Sequence, residues 1–160
     1  MASAAASIDT TTVLDLTTTV DNAEACVTSG QRVESLTLID ADLDTEVIGY
    51  EILPAAVVVC INAATTGCPA GAATVSKAMT VRANTSPPEV GSVQFRVNGA
   101  VEQTENTAPY AVGTETNGDY KAWIPGEGVH DLDARPFSEE NAAGTPGISA
   151  SVSVEVIILP

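Results

Sequence analysis

Aromatic residues make up only 4% of this 160-residue chain, and Lys and Arg together number six against 21 Asp and Glu. The shortage of bases leaves a formal net charge of −15. A surface of that sign repels nucleic acid and anionic membranes, both of which need cations to neutralise phosphate. Long apolar runs are also missing. The longest, such as AAVVVCINAA, fall short of the roughly 20 residues that a membrane-spanning helix requires. There is one histidine, His130, and the sequence carries no Gly-x-Ser-x-Gly elbow, no HExxH and no phosphate-binding loop. These gaps argue against an enzyme.

Cysteine is scarce and odd in number: Cys26, Cys60 and Cys68. Cys60 and Cys68 flank the short run INAATTG and are the nearest pair, which would leave Cys26 free or able to bridge two chains. A bond from Cys26 to either of the others stays open, because connectivity is not readable from spacing. No zinc site follows, since the Cys60/Cys68 spacing is not CxxC and no second pair completes it. MASAAAS lacks the charged and apolar regions of a secretory signal. For a secreted or cell-surface protein, the expectation is that a signal has been removed or that the chain is part of a larger protein.

What is present is β-branched and small: the 44% of hydrophobic residues are mostly Ala, Val, Ile and Leu, with Thr and Ser between them. That mixture favours strands over helices. Residues 1–30 hold Thr runs and short apolar clumps without a sustained period, and read as an N-terminal arm or leader. The domain is expected over residues 31–160. RVESLTLI places Leu36 and Leu38 on one face, and YEILPAAVVVCINA suits a strand buried on both sides. TTGCPAGAAT reads as loop. SKAMTVRAN alternates, with Met79, Val81 and Ala83 inward and Thr80 and Arg82 outward.

GSVQFRVNGAVEQT is the clearest unit, with Val93, Phe95 and Val97 on one face and then Asn98-Gly99. That dipeptide favours a type I′ hairpin turn, which needs positive φ at both positions. GVHDLDARPF and GISASVSVEVIIL alternate in the same way, the second placing Ile148, Ala150, Val152, Val154, Val156 and Ile158 inward. About seven strands with regular turns and no helical period predict an all-β protein, an antiparallel β-sandwich.

The segments VGSVQFRVNG, TENTAPYAV, NGDYKAW, GVHDLDARPFS and SVSVEVI, with VESLTLIDADLDTEVI upstream, resemble the bacterial immunoglobulin-like modules of secreted and cell-surface proteins. The subgroup is one often found beside malectin-like domains. The resemblance runs over about residues 33–158 and implies an immunoglobulin-like sandwich with an N-terminal extension. It says little of ligand, because such modules serve as spacers, adhesive units or parts of enzymes. The insert EILPAAVVVCINAATTGCPAGAATVS is longer and more apolar than that pattern, and residues 1–30 have no counterpart in it.

Three places remain as candidate sites. ENTAPYAVGTETNGDY, residues 105–120, reads first as a strand connection with Tyr110 in the core and a tight turn at Asn117-Gly118-Asp119. Its second reading is a sugar-binding surface of Glu115, Asp119, Tyr120 and Trp123, in which the rings stack and the carboxylates bind hydroxyls. Trp123 suits the core equally well. Asp40, Asp42 and Asp44 alternate as calcium ligands do, although the EF-hand pattern fails for want of its Gly and Glu; the other reading is a solvated turn. His130 occupies the place where immunoglobulin folds keep a corner tyrosine, which implies a structural role. Glu139-Glu140 and Glu102/Glu105 carry no glycosidase signal in so acidic a chain. Asn84-Thr85-Ser86 is a glycosylation sequon in an apparent loop, disfavoured by Pro87 and silent in a bacterial source.

The resulting expectation is a non-catalytic structural module at the cell surface, acting in adhesion or in a fibre or appendage. It would associate with itself or with neighbouring surface domains, with carbohydrate binding as the alternative. No cofactor is expected beyond possible calcium, and neither nucleic-acid binding nor membrane insertion.

Overall fold

The computed structural model describes residues 30–62 and 67–160. Apart from Gly30, the arm or leader expected over residues 1–30, including Cys26, lies outside them. The described chain is a β-sandwich of two packed sheets. The first sheet holds β1 (Arg32–Asp40), β2 (Thr45–Glu46), β5 (Met79–Ser86) and β8 (Tyr110–Ala111), in the order β2-β1-β5-β8. The second holds β3 (Ala56–Ile61), β4 (Ala73–Val75), β6 (Ser92–Val97), β7 (Ala100–Glu105), β11 (Gly128–Phe137) and β12 (Ala150–Ile158), in the order β4-β3-β12-β11-β6-β7. β9 (Glu115–Thr116) and β10 (Asp119–Tyr120) form a separate hairpin.

The expected alternation is what brings the sheets together. Successive side chains of a strand point to opposite faces, so one row of each strand is buried against the facing sheet. Leu36 and Leu38, then Met79, Val81 and Ala83, supply the inner face of the first sheet. Val57, Val59, Phe95, Leu132, Val152, Val154 and Val156 meet them from the second. The Asn98-Gly99 turn has φ of 50° and 82°, and Asn117-Gly118 has 56° and 89°, so both take the left-handed backbone that Asn and Gly tolerate.

Four details differ from the sequence reading. The ladders are not all antiparallel: β3 runs parallel to β12 and also to β4. β4 begins within the last two residues of the stretch read as loop. A three-residue strand is too short to show alternation, and its pairing comes from the distant β3. Ile148 is 63% exposed rather than inward. It precedes β12, in a segment where Pro146 bridges Phe137 and Ile148 bridges Arg32 of the other sheet, so the strand period has not yet begun. Thr80, expected outward, is fully buried because a later segment covers its face of the sheet.

A disulfide joins Cys60 to Cys68, Cα to Cα 5.9 Å, which settles their partners. At the other side of the sandwich Tyr110 is buried, and its hydroxyl donates to the Val90 carbonyl (2.7 Å) and accepts the Val90 N–H (2.9 Å). This clamp ties the β5–β6 connection to β8. Tyr110→Phe keeps the ring and removes both bonds, so it is expected to lose about 1–2 kcal/mol. Urea unfolding with an unchanged m-value checks this.

Candidate functional site

The outer face of the first sheet is where the two sequence-derived sites converge. In the β1–β5 ladder Ser35, Thr37 and Ile39 stand opposite Asn84, Arg82 and Thr80. These positions alternate with the core row and face away from the second sheet. Ile39, Thr37 and Thr80 are nevertheless buried. Residues 112–123 cross the sheet there. Val112 N–H bonds the Val81 carbonyl (3.0 Å), Gly113 N–H bonds Thr80 Oγ1 (3.0 Å), and Trp123 N–H bonds the Met79 carbonyl (2.6 Å). A Cβ on Gly113 would sit 2.0 Å from the Lys121 carbonyl oxygen, so only glycine permits this crossing.

Arg82 organises the polar part of the face. Its Nη2 lies 2.5 Å from Glu46 Oε1, its Nη1 donates to the Tyr120 hydroxyl (3.4 Å), and its Nε donates to Asn84 Oδ1 (3.0 Å). Asn84 Nδ2 in turn donates to Ser35 Oγ (2.9 Å) and Thr37 Oγ1 (2.8 Å), and Thr37 passes its own proton to the Glu51 carbonyl (2.5 Å). Burial by itself lowers the Arg82 pKa. The hydrogen bonds and charges of Tyr120 and Glu46 outweigh it and hold the pKa above its already high ordinary value. The guanidinium therefore stays charged throughout the neutral range, and its contribution is lost only at strongly alkaline pH.

Each predicted site residue has a place in this arrangement. Glu115 pairs with Tyr120 and Asp119 with Thr116 across the β9–β10 hairpin. Glu115 Oε1 accepts the Gly118 N–H, closing the turn, and Asp119 pairs with Lys121. Tyr120 is half-buried, with its N–H on Asp44 Oδ1 at 2.7 Å. Trp123 is 5% exposed and belongs to the core, which corrects its expected part in a stacking platform: its own ring has no face left for a sugar. Residues 105–120 are thus a strand connection folded over the sheet, and the hairpin interlocks with the acidic turn through Asp44 and Arg82.

The acids of the turn are engaged by donors of the protein. Asp40 is 7% exposed; its Oδ2 accepts the Ser76 N–H (2.7 Å), while its Oδ1 takes the Asp42 N–H (3.1 Å) and the Ser76 hydroxyl (2.8 Å). Asp42 lies 3.7 Å from Lys77 Nζ, and Asp44 turns away to Tyr120. Calcium takes six to eight oxygens at one point. Asp40 and Asp42 share the Ser76 hydroxyl (2.8 and 3.2 Å) while Asp44 is held apart by the Tyr120 N–H, and among the described residues no group of three or more His, Cys, Asp or Glu is placed to hold a metal.

The sequon lies in β5 rather than in a loop, with the Asn84 amide inside the network, so a glycan there would break two hydrogen bonds. His130 is half-buried, its Nε2 3.3 Å from the Gly126 carbonyl oxygen. A second ring-to-backbone contact is made by the Tyr110 hydroxyl on Val90. Sequence reasoning missed Arg82 as the organiser; the signal available was a lone arginine on the outward row of a strand in a chain poor in bases.

Two outcomes follow from the network. Asp40→Ala strands the Ser76 and Asp42 amides and is expected to cost about 1–3 kcal/mol, while calcium and chelator leave the parent's melting temperature unchanged. Differential scanning calorimetry reads both. Arg82→Lys is expected to destabilise nearly as much as Arg82→Ala, because an ammonium cannot reach Glu46, Tyr120 and Asn84 from one planar fork. Paired urea titrations of the two variants check it.

No family model matches the chain, and no curated protein matches it. Among solved structures it is similar to the fibronectin(III)-like modules of Clostridium thermocellum CbhA, with 20% identity and a TM-score of 0.40. The likeness covers 78% of this chain and 47% of that one, so the chain spans about half the length of the structure it matches.

Proposed function

We propose that the chain is a non-catalytic module of the cell exterior, joined end to end with other copies or surface domains, in adhesion or as a subunit of a fibre or appendage. The observation that carries this reading is the placement of the two ends of the described fold. Gln31 enters beside Ile148, whose N–H it accepts at 3.1 Å, at the pole where β11 ends and β12 begins. Leu159 leaves at the opposite pole, its N–H on the Ile61 carbonyl (3.1 Å). β12 has nine residues, so the poles stand about 30 Å apart. Force or connection entering at one pole passes along the strands and leaves at the other.

Two further observations support the reading. The disulfide suits an oxidising compartment. The conspicuous polar residues at the candidate site are engaged with one another. No helix among the described residues is long and apolar enough to cross a membrane. Carbohydrate binding through Tyr120 and Trp123 draws no comparable support, since Trp123 is buried.

Size-exclusion chromatography with light scattering tests the proposal, on the full chain with and without reductant and on a chain lacking residues 1–28. Multimers of the full chain that disappear with the truncation are expected. If reductant alone returns them to the monomer mass, Cys26 is the link; if they persist, the arm suffices. A full chain that stays monomeric at every concentration overturns the proposal.

A further inference from the structure

A sandwich exposes four sheet edges, and the structure treats them unequally. Beyond β2, residues 47–53 continue along β1, with Val47 N–H on the Leu38 carbonyl, Leu38 N–H on the Tyr50 carbonyl and Leu53 N–H on the Leu36 carbonyl. The Tyr50 hydroxyl then crosses to the Gly71 carbonyl beside β4, so these two neighbouring edges close on each other. β4 itself offers only three residues. β8 has two and runs straight into the hairpin that crosses the sheet. β7 differs: it is a six-residue outermost strand, hydrogen-bonded to β6 on one side alone. The second sheet has six strands against four in the first, and β7 overhangs the core, with every residue exposed or only half-buried.

An uncovered edge is a row of unpaired N–H and C=O groups, the template on which another strand adds. The edge carries Glu102 and Glu105, and a bulge interrupts the register between Phe95 and Arg96 of its partner. A second β7 laid against it would add its own Glu102 and Glu105 to the same short ladder. The strand that fits is neutral and rich in β-branched residues. The chain holds such a run in Leu16–Val20, LTTTV, within a 29-residue stretch that has no Lys or Arg at all. The nine residues between Val20 and Gly30 extend to about 30 Å, the length of one sandwich.

We propose that β7 is the acceptor edge of the module, on which residues 16–20 of a neighbouring copy add as a seventh strand of the second sheet. This rests on the end-to-end reading above and names the surface that completes it. Main-chain hydrogen bonds carry the association, and the side chains need only avoid adding charge to Glu102 and Glu105.

The test compares hydrogen exchange of β7 amides in the full chain and in the chain lacking residues 1–28. The core lies within residues 33–156, so the truncated chain retains it. Protection of residues 100–105 by about tenfold in the multimer, and its loss on truncation, is the expected result. A synthetic peptide of residues 14–22 added to the truncated protein should restore the protection. Thr18→Pro, which removes a donor from the added strand, should return the full chain to monomers, while Thr11→Pro should not. Multimers without β7 protection, or loss of assembly from Thr11→Pro alone, overturn the acceptor assignment and leave the end-to-end reading standing. Protection of β7 in a strictly monomeric chain overturns both.

Discussion

The two ladders of β12 join parts of the chain that are far apart in sequence. On one side it pairs antiparallel with β11, from Ala134↔Ala150 to Gly128↔Val156; on the other it pairs parallel with β3, from Ala56↔Ser153 to Ile61↔Ile158. Among the described residues β3 has no hairpin partner, and its one other ladder is to the three-residue β4. Without β12 the apolar run Val57–Ile61 would have no sheet to enter, and the inner row Val152, Val154 and Val156 would leave the centre of the core empty. Contacts of such sequence separation carry a large loop-closure cost before they stabilise anything. The disulfide and the Tyr50–Gly71 bond hold the insert against the sheet.

That arrangement explains how so acidic a chain keeps its interior satisfied. The buried carboxylate, Asp40, is surrounded by donors rather than by cations, and Arg82, half-buried, answers Glu46 and Tyr120. Among the described residues no buried side-chain nitrogen or oxygen lacks a hydrogen-bond partner. Most of the negative charge lies on solvated positions, where screening acts within about 8 Å at physiological salt and costs the fold little. The polar layer outside the first sheet therefore serves as a roof: it lets Thr37, Ile39 and Thr80 be buried on a face that a simple sandwich would leave wet.

Periodicity in the sequence reports which side of a strand is buried, and it placed most of the core row correctly, Ile148 and Thr80 excepted. Met79, Val81 and Ala83, the Asn98-Gly99 hairpin, Leu132 and Ala134, and the row from Val152 to Val156 were all legible because each is decided within ten residues. Other features are decided by partners far along the chain. β4 exists because β3 is there to pair with it, and residues 47–53 extend the first sheet because Leu36 and Leu38 offer backbone partners to Val47, Tyr50 and Leu53. Trp123 was ambiguous for a physical reason: a single large ring is equally suited to a core and to a sugar, and only the bond from its amide to Met79 places it. The direction of the alternate acids of the turn is set by Ser76, Lys77 and Tyr120, which lie 34 to 76 positions away at the extremes of these contacts.

Acidity also constrains how such modules can meet. Two surfaces that both carry excess carboxylate gain nothing from charge complementarity, and flat side-chain contact between them is opposed by repulsion. Backbone pairing is the interaction least affected by this, because the N–H and C=O groups of an edge are present whatever the side chains are. An edge guarded by Glu102 and Glu105 rejects its own kind and other acidic strands, yet remains open to a neutral run of Thr, Val and Leu. The same two glutamates that prevent indiscriminate edge-to-edge association then supply the selectivity, and the strand's direction and register are left to the turn at Asn98-Gly99 and the bulge beside Arg96.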